Sequence, residues 1–536
     1  MLRRLRERVI PSWQNALLAL LAAGLLTLAF PDFEFWFLAW FALVPLMWAV
    51  EREGGVLRSF VVGWLFGTAY FFGTCWWLTY APIHYAAMPW PLAYSLIFIA
   101  CLGAGVFPGV FAAILSVLLK RFGSWALLAA PFVWVFSEFA RYWLTGNNWN
   151  AVGYSQAFNG LEGLMVLRVA EFGGVLLSSF YVCLFSTLIC LALVIVVRFT
   201  NRGPRERVAI AVLLVFSIPY VCGQLIFFAF LSLPRNSGMY RPVAHLSAVQ
   251  PNVPMKGLNL PLWENLRQRQ VQLAAQQVEE IRSRDSWEQL PVLVVLPESP
   301  MNFLYNDDRD FQEFTRDFTT RNNVSLLFNS SEPDIRTGRY FNSAVMIGSD
   351  GNKIAQYDKV FLLPFGEAVP SPFDKVMPAF VGSFSYGGEY DLLPVGEAKA
   401  GVMICFESHF GQLGREYVRN GADVIIEMTN DGYLGPTPVL RQHLANAVFR
   451  AVETNRPVLR VTNVGITTEI NMFGYVSEPS PTYTEASQGW TVSKSDGSQT
   501  LYVRYGDWFA WLCTAVTVGL LIVSFRRRKS PTATNL

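Results

Sequence analysis

The chain has 536 residues, of which 52% are hydrophobic and only 15% charged, and its net charge is +2. Against the roughly 25% charged residues of soluble chains, this composition excludes a wholly soluble protein and points to a polytopic membrane protein. A near-neutral charge gives no bulk attraction to nucleic acid, and four scattered histidines without a CxxC or HxxxH pair predict no metal site.

In chain order, Arg3, Arg4, Arg6 and Arg8 precede an apolar run over 16–30. A second run, 35–50, follows directly after Pro31-Asp32, so an uncleaved membrane helix is expected rather than a signal peptide. Further runs cover 60–80, 91–119, 125–143, 164–197, 208–231 and 508–525. Each can supply the roughly 20 apolar residues that cross a bilayer, which predicts eight spans. The expected division is 1–231 for spans one to seven, 232–506 for an extracytoplasmic domain, 507–525 for span eight and 526–536 for a cytoplasmic tail.

Loop charge orients the spans. Alternate connections carry Arg3/Arg4/Arg6/Arg8, Arg52/Arg58, Lys120/Arg121, Arg198/Arg202/Arg205/Arg207 and Arg526/Arg527/Arg528/Lys529, whereas the opposite short loops hold only Arg141. Both termini are therefore expected in the cytoplasm and 232–506 outside it, as an even number of spans also requires. Gly103, Gly105 and Gly109 lack the strand and acidic residue of a dinucleotide fingerprint and predict close helix packing. Arg168 and Glu171 have helical spacing, fitting an interfacial ion pair or a headgroup contact. Trp143, Trp149 and Tyr154, in the 141–160 loop, suit the headgroup belt.

The 232–506 section has another texture. Short β-rich runs recur at 244–249, 292–296, 325–328, 343–347, 400–404, 423–427 and 458–462, with polar helical stretches at 263–284, 307–321 and 439–453. This alternation predicts an α/β domain with covered sheets.

Three stretches of this section carry chemistry. The apolar run 292–296 ends in Pro297-Glu298-Ser299-Pro300, which puts a carboxylate on a rigid rim. The stretch 357–370 embeds Lys359 and Glu367 among apolar residues and prolines, where charges need partners. The run 401–404 leads into Cys405-Phe406-Glu407-Ser408, the layout of a nucleophile at a strand-to-helix elbow. Of the seven cysteines, only Cys405 lies in the polar section, so it has no disulfide partner there.

On these residues the section resembles the nitrilase superfamily, with Glu298, Lys359 and Cys405 matching its Glu–Lys–Cys triad. The domain's place between spans seven and eight is similar to the arrangement in the apolipoprotein N-acyltransferase family. Pro364-Phe365-Gly366-Glu367, Gly153-Tyr154-Ser155-Gln156, Asn430-Asp431-Gly432, Arg450-Ala451-Val452-Glu453, Arg456-Pro457 and Thr462-Asn463 also match. Phe406 departs from the Tyr of many members.

The resemblance implies an eight-span helical bundle plus an α-β-β-α sandwich in a bacterial inner membrane, with the catalytic domain periplasmic. It implies fatty acyl transfer from a phospholipid to the N-terminal diacylglyceryl-cysteine amine of apolipoproteins, the last step of lipoprotein maturation, without a cofactor. Glu298 would act as general base and Cys405 as the thioester-forming nucleophile. Lys359 and the Phe406 N–H would stabilise the oxyanion, and Glu367 would support Lys359. Glu407 would position the elbow or interact with a helix dipole; Trp263 would belong to a lid over acyl chains or be a buried anchor; Tyr154 would touch substrate. His409, one helical turn past Cys405, is expected to point away from it. A membrane-bound amidohydrolase using water, or a non-catalytic transporter or receptor, are the competing readings.

Overall fold

The computed structural model describes residues 9–146, 148–158, 164–199, 241–284, 290–298, 301, 303–369 and 383–526, with isolated positions between 203 and 217. The chain forms two compact units. One comprises Met1–Val169, Val175–Leu233 and Asp507–Leu536, the other Ala170–Gly174 and Pro234–Gly506.

The first unit is built of apolar helices: Trp13–Leu28, Ala39–Glu53, Val56–Cys75, Trp90–Phe122, Ala130–Thr145 and Trp508–Phe525, with the helix Ala170–Phe199 from Val175 onward. Gly54, at φ 66, ends the second helix in the left-handed conformation that a residue with a side chain resists. Small residues let Val56–Cys75 and Trp90–Phe122 approach closely. A Cβ on Gly63 would come 2.3 Å from the Pro108 carbonyl oxygen, and one on Gly105 would come 2.6 Å from Thr68 Oγ1. Gly109 packs likewise on Phe60, whereas Gly103 faces open space, so two of the three expected packing glycines serve that role.

Among the described residues, four helical stretches are long and apolar enough to cross a membrane: Val56–Tyr85, Trp90–Thr145, Ala170–Val197 and Trp508–Phe525. Trp13–Leu28 is apolar but shorter. The expected run 208–231 lies outside the described residues apart from isolated helical positions.

Three local expectations change. The run 164–197 is not one helix. Leu164–Arg168 stops at Val169, and Gly173 and Gly174 take non-helical angles, so Arg168 and Glu171 do not share a helical turn. Arg141 lies inside Ala130–Thr145 rather than in a loop. It is buried, donates to the Trp149 carbonyl oxygen at 2.8 Å and sits over the Phe71 ring. Tyr154 is 3% exposed, not displayed to headgroups, because Val152–Gln156 forms a buried 3-10 turn. Trp143 does remain exposed.

The second unit carries two sheets. The first runs β13 (Ala486–Lys494), β1 (Arg241–Gln250), β2 (Val292–Val295), β3 (Ser325–Asp334), β4 (Arg339–Ile347), β5 (Lys353–Asp358), with β6 (Phe384–Ser385) also paired to β4. The second runs β12 (Val476–Ser477), β11 (Thr468–Ile470), β10 (Val458–Thr462), β9 (Val424–Thr429), β8 (Ala398–Ile404), β7 (Leu392–Val395). Helices Leu260–Arg284 and Arg309–Asn322 pack on the first sheet, and Gly411–Arg419 and Val439–Thr454 on the second. β1 touches β10 and β13 touches β8, which gives the expected α-β-β-α layering.

The layering explains the continuous apolar runs. Val292 and Val294 join a core beneath the helices with Phe311, Phe318, Leu326 and Phe328, while Leu293 and Val295 are equally buried on the opposite face. A strand buried on both faces cannot alternate with polar residues. The parallel pairs β1–β2, β2–β3, β8–β9 and β9–β10 bring strand C-terminal ends together, and Glu298, Cys405 and Asn430 lie just beyond three of those ends.

Candidate active site

Cys405 follows β8 directly and has φ 53, a left-handed conformation that costs a residue with a Cβ about 1–3 kcal/mol. The turn is held from below by Glu407, which is wholly buried. Its Oε2 accepts the Ile404 N–H at 2.9 Å, and its Oε1 accepts the Tyr357 hydroxyl at 2.7 Å, the Val360 N–H at 2.8 Å and the Phe361 N–H at 3.0 Å. One carboxylate thus ties the cysteine elbow to the segment that carries Lys359. Burial pushes Glu407 up to about 7, against the opposing pull of Lys359 and these donors.

Lys359 follows β5 and is 1% exposed. Its Nζ lies 2.9 Å and 2.8 Å from the two Glu367 carboxylate oxygens and 3.8 Å from Glu298 Oε1. Burial works to lower its pKa, but Glu367 and Glu298 raise it on balance, so it stays an ammonium. A tight turn returns Glu367 to it: Phe365 takes φ 63, the Phe365 N–H donates to the Ala368 carbonyl oxygen at 2.7 Å, and the Glu367 N–H donates to that of Leu363 at 2.9 Å.

Glu298, beyond β2, lies beside Cys405, near enough for each to shift the other's titration. Its Oε1 accepts Asn342 Nδ2 at 3.2 Å and its Oε2 the Asn430 N–H at 3.2 Å. Burial raises its pKa against the opposing pull of Lys359. Burial likewise raises the Cys405 thiol well above its ordinary value, with Glu298 adding to the rise and Lys359 opposing it. At rest the sulfur is therefore protonated, with a carboxylate placed to take its proton.

The structure brings Glu298, Lys359, Glu367, Cys405 and Glu407 together. Phe406 follows the cysteine, stacked on His409 at 5.5 Å and edge-on to Phe410 at 5.3 Å. His409 is thus turned onto that ring. Trp263 lies on Leu260–Arg284, packed edge-on to Phe303 at 5.9 Å and against the helix-side core, the arrangement of an anchor rather than a lid. Tyr154 belongs to the other unit.

Sequence reading missed Asn342. Its Nδ2 bridges Glu298 and Glu367 Oε1 (2.6 Å), while Asn329 Nδ2 donates to its Oδ1 at 2.7 Å and so fixes the amide's orientation. Its only local signal was an amide just ahead of the apolar 344–347 run, which needs partners once buried. It also passed over the role of His443, Asp431 and Arg460. An arginine inside Val458–Thr462 was the visible sign of buried charge. Among the described residues no cluster of candidate metal ligands occurs.

This geometry defines a class: a membrane-associated α/β protein with a half-buried cysteine and carboxylate beside a buried ammonium at the C-terminal ends of its strands. The family model for the carbon-nitrogen hydrolase domain matches residues 248–495, and that for the apolipoprotein N-acyltransferase N-terminal domain matches residues 22–188. The chain is 30% identical to the apolipoprotein N-acyltransferase of Geobacter metallireducens over 96% of each chain, and 29% identical to that of Allorhizobium ampelinum over 98% of each. Among solved structures it is similar to Nit3 of Saccharomyces cerevisiae, a nitrilase-superfamily member. There the identity is 17% and the TM-score 0.34, over 48% of this chain and 93% of that one. The chain belongs to the apolipoprotein N-acyltransferase family.

Proposed function

We propose that the protein transfers a fatty acyl chain from a membrane phospholipid to the α-amine of an apolipoprotein's N-terminal diacylglyceryl-cysteine, through a thioester on Cys405. The observation that carries this reading is the convergence of the Cys405 elbow, Glu298 and the Lys359 ammonium, whose nitrogen lies 3.8 Å from Glu298 Oε1. Glu298 takes the thiol proton as the sulfur attacks the ester carbonyl. Lys359 and the Phe406 N–H stabilise the tetrahedral oxyanion, each such donor being worth about 3 kcal/mol. Collapse expels the lysophospholipid alkoxide, which Glu298 protonates. The lipoprotein amine then attacks the thioester, passes a proton to Glu298 and leaves Cys405 as the thiolate that recovers a proton, so turnover is ping-pong. Glu367 and Asn342 hold the lysine and the base in place, and no cofactor takes part.

We also assign eight spans, both termini in the cytoplasm and the 232–506 domain in the periplasm, with the division 1–231, 232–506, 507–525 and 526–536. The 56 residues of Trp90–Thr145 contain two helices separated by a 3-10 turn, enough for two crossings. The alternating basic loops support the orientation.

Product analysis tests the transfer. Purified protein in phospholipid micelles, given a diacylglyceryl-cysteine peptide, should yield the N-acylated peptide and lysophospholipid, and Cys405→Ala should yield neither. Free fatty acid in place of acylated peptide would instead favour a membrane-bound hydrolase.

A further inference from the structure

Behind the Cys405 elbow lies a second cluster of buried charge that this scheme does not use. His443, on Val439–Thr454, has Nδ1 at 2.7 Å from Asp431 Oδ1. Its Nε2 is 3.0 Å from the Cys405 carbonyl oxygen and 3.3 Å from Glu427 Oε1. Arg460, on β10, reaches Asp431 Oδ2 at 2.8 Å and Glu427 Oε1 at 2.5 Å. All four side chains are buried, Glu427 and Arg460 completely.

The surroundings of the ring determine its protonation. Burial opposes charge on Asp431, yet His443 and Arg460 hold its carboxyl below the ordinary range, so it is ionised. Glu427 is ion-paired through Oε1 with Arg460 Nη1. Carboxylates and a carbonyl only accept hydrogen bonds. Both ring nitrogens of His443 therefore face acceptors, the arrangement that a doubly protonated ring, an imidazolium, satisfies. Two anions then meet two cations. A neutral ring would leave one net negative charge behind the sulfur, where Asp431 is already among the groups raising the Cys405 thiol. Inside a protein such a charge is felt far more than in water.

We propose that His443, held as an imidazolium, neutralises the Asp431–Glu427–Arg460 cluster and pins the Cys405 carbonyl, which makes it a positioning residue for the nucleophile. The proposal rests on Cys405 being that nucleophile, and its test separates the two.

Single-turnover acylation of the full-length protein by phospholipid, followed by intact mass, is the readout. No adduct on the wild type would remove the nucleophile reading itself. Given an adduct, His443→Gln should slow its formation by about tenfold, equivalent to one pKa unit on the thiol. Adding Asp431→Asn restores zero net charge and should recover most of that loss, whereas a merely structural role makes the double variant no faster than the single one. A single variant as fast as wild type, or a double variant without recovery, overturns the proposal. A second readout needs no variant at His443. In ¹⁵N-histidine-labelled protein, with signals assigned by replacing the other three histidines, both ring nitrogens of His443 should be protonated at neutral pH. A bare ring nitrogen there overturns the proposal even where the variants fail to fold.

Discussion

At the scale of single residues, the proposed mechanism uses a proton held on the sulfur and a base raised by burial. Glu298 must be ionised to accept that proton, and its pKa lies above the usual carboxylate value of about 4.3. The acylation rate should therefore fall as pH drops through this raised value, with an acid limb above the ordinary carboxylate range. A limb at the ordinary carboxylate value would mean that Glu298 is not the base. Lys359 pairs with Glu367, which is 4% exposed. Lys359→Met leaves that carboxylate buried without its cation, so it should cost about 3–5 kcal/mol of stability as well as activity. Thermal melting in detergent separates this loss from the kinetic one, and an unchanged melting temperature would contradict the pairing.

At the scale of elements, the elbow and the lysine segment are one mechanical piece because Glu407 accepts from both. Glu407→Gln puts an amide where four donors converge, so at least one loses its acceptor, at about 1–3 kcal/mol. Reduced stability with the adduct still forming, only more slowly, is the expected outcome, read by melting and intact mass. The seven β-rich runs were legible in the sequence because strands buried on both faces are largely apolar, as in Val292–Val295. The short β6 and β12 and the mostly half-buried β13 were not, since two residues or a strand of mixed exposure leave no clear periodic signal. Glu298, Lys359 and Cys405 were readable as candidates at strand ends and Pro-bounded turns, where the structure places them close together. Asn342 was not, because its importance comes from pairing across 44 positions with Glu298, a distance that local pattern cannot span.

At the scale of the whole chain, composition alone marked a membrane protein, and the apolar helices agree with it. Hydropathy did not show that the 164–197 run breaks, because Gly173 and Gly174 interrupt the helix without interrupting its apolar character. The proposed topology has a direct check. A fluorescent reporter fused after Leu536 should mature in the cytoplasm, and alkaline phosphatase fused within 232–506 should be active. An inactive phosphatase would place the domain on the wrong side for periplasmic lipoproteins.

The central claim is that Cys405 carries the acyl group between donor and acceptor. Intact mass of the purified protein after incubation with phospholipid alone tests it most directly. The account predicts a gain of one fatty acyl group, removed by hydroxylamine, absent from Cys405→Ala and discharged by a diacylglyceryl-cysteine peptide. Acylated peptide formed without any such adduct, or an adduct that persists in Cys405→Ala, would contradict it.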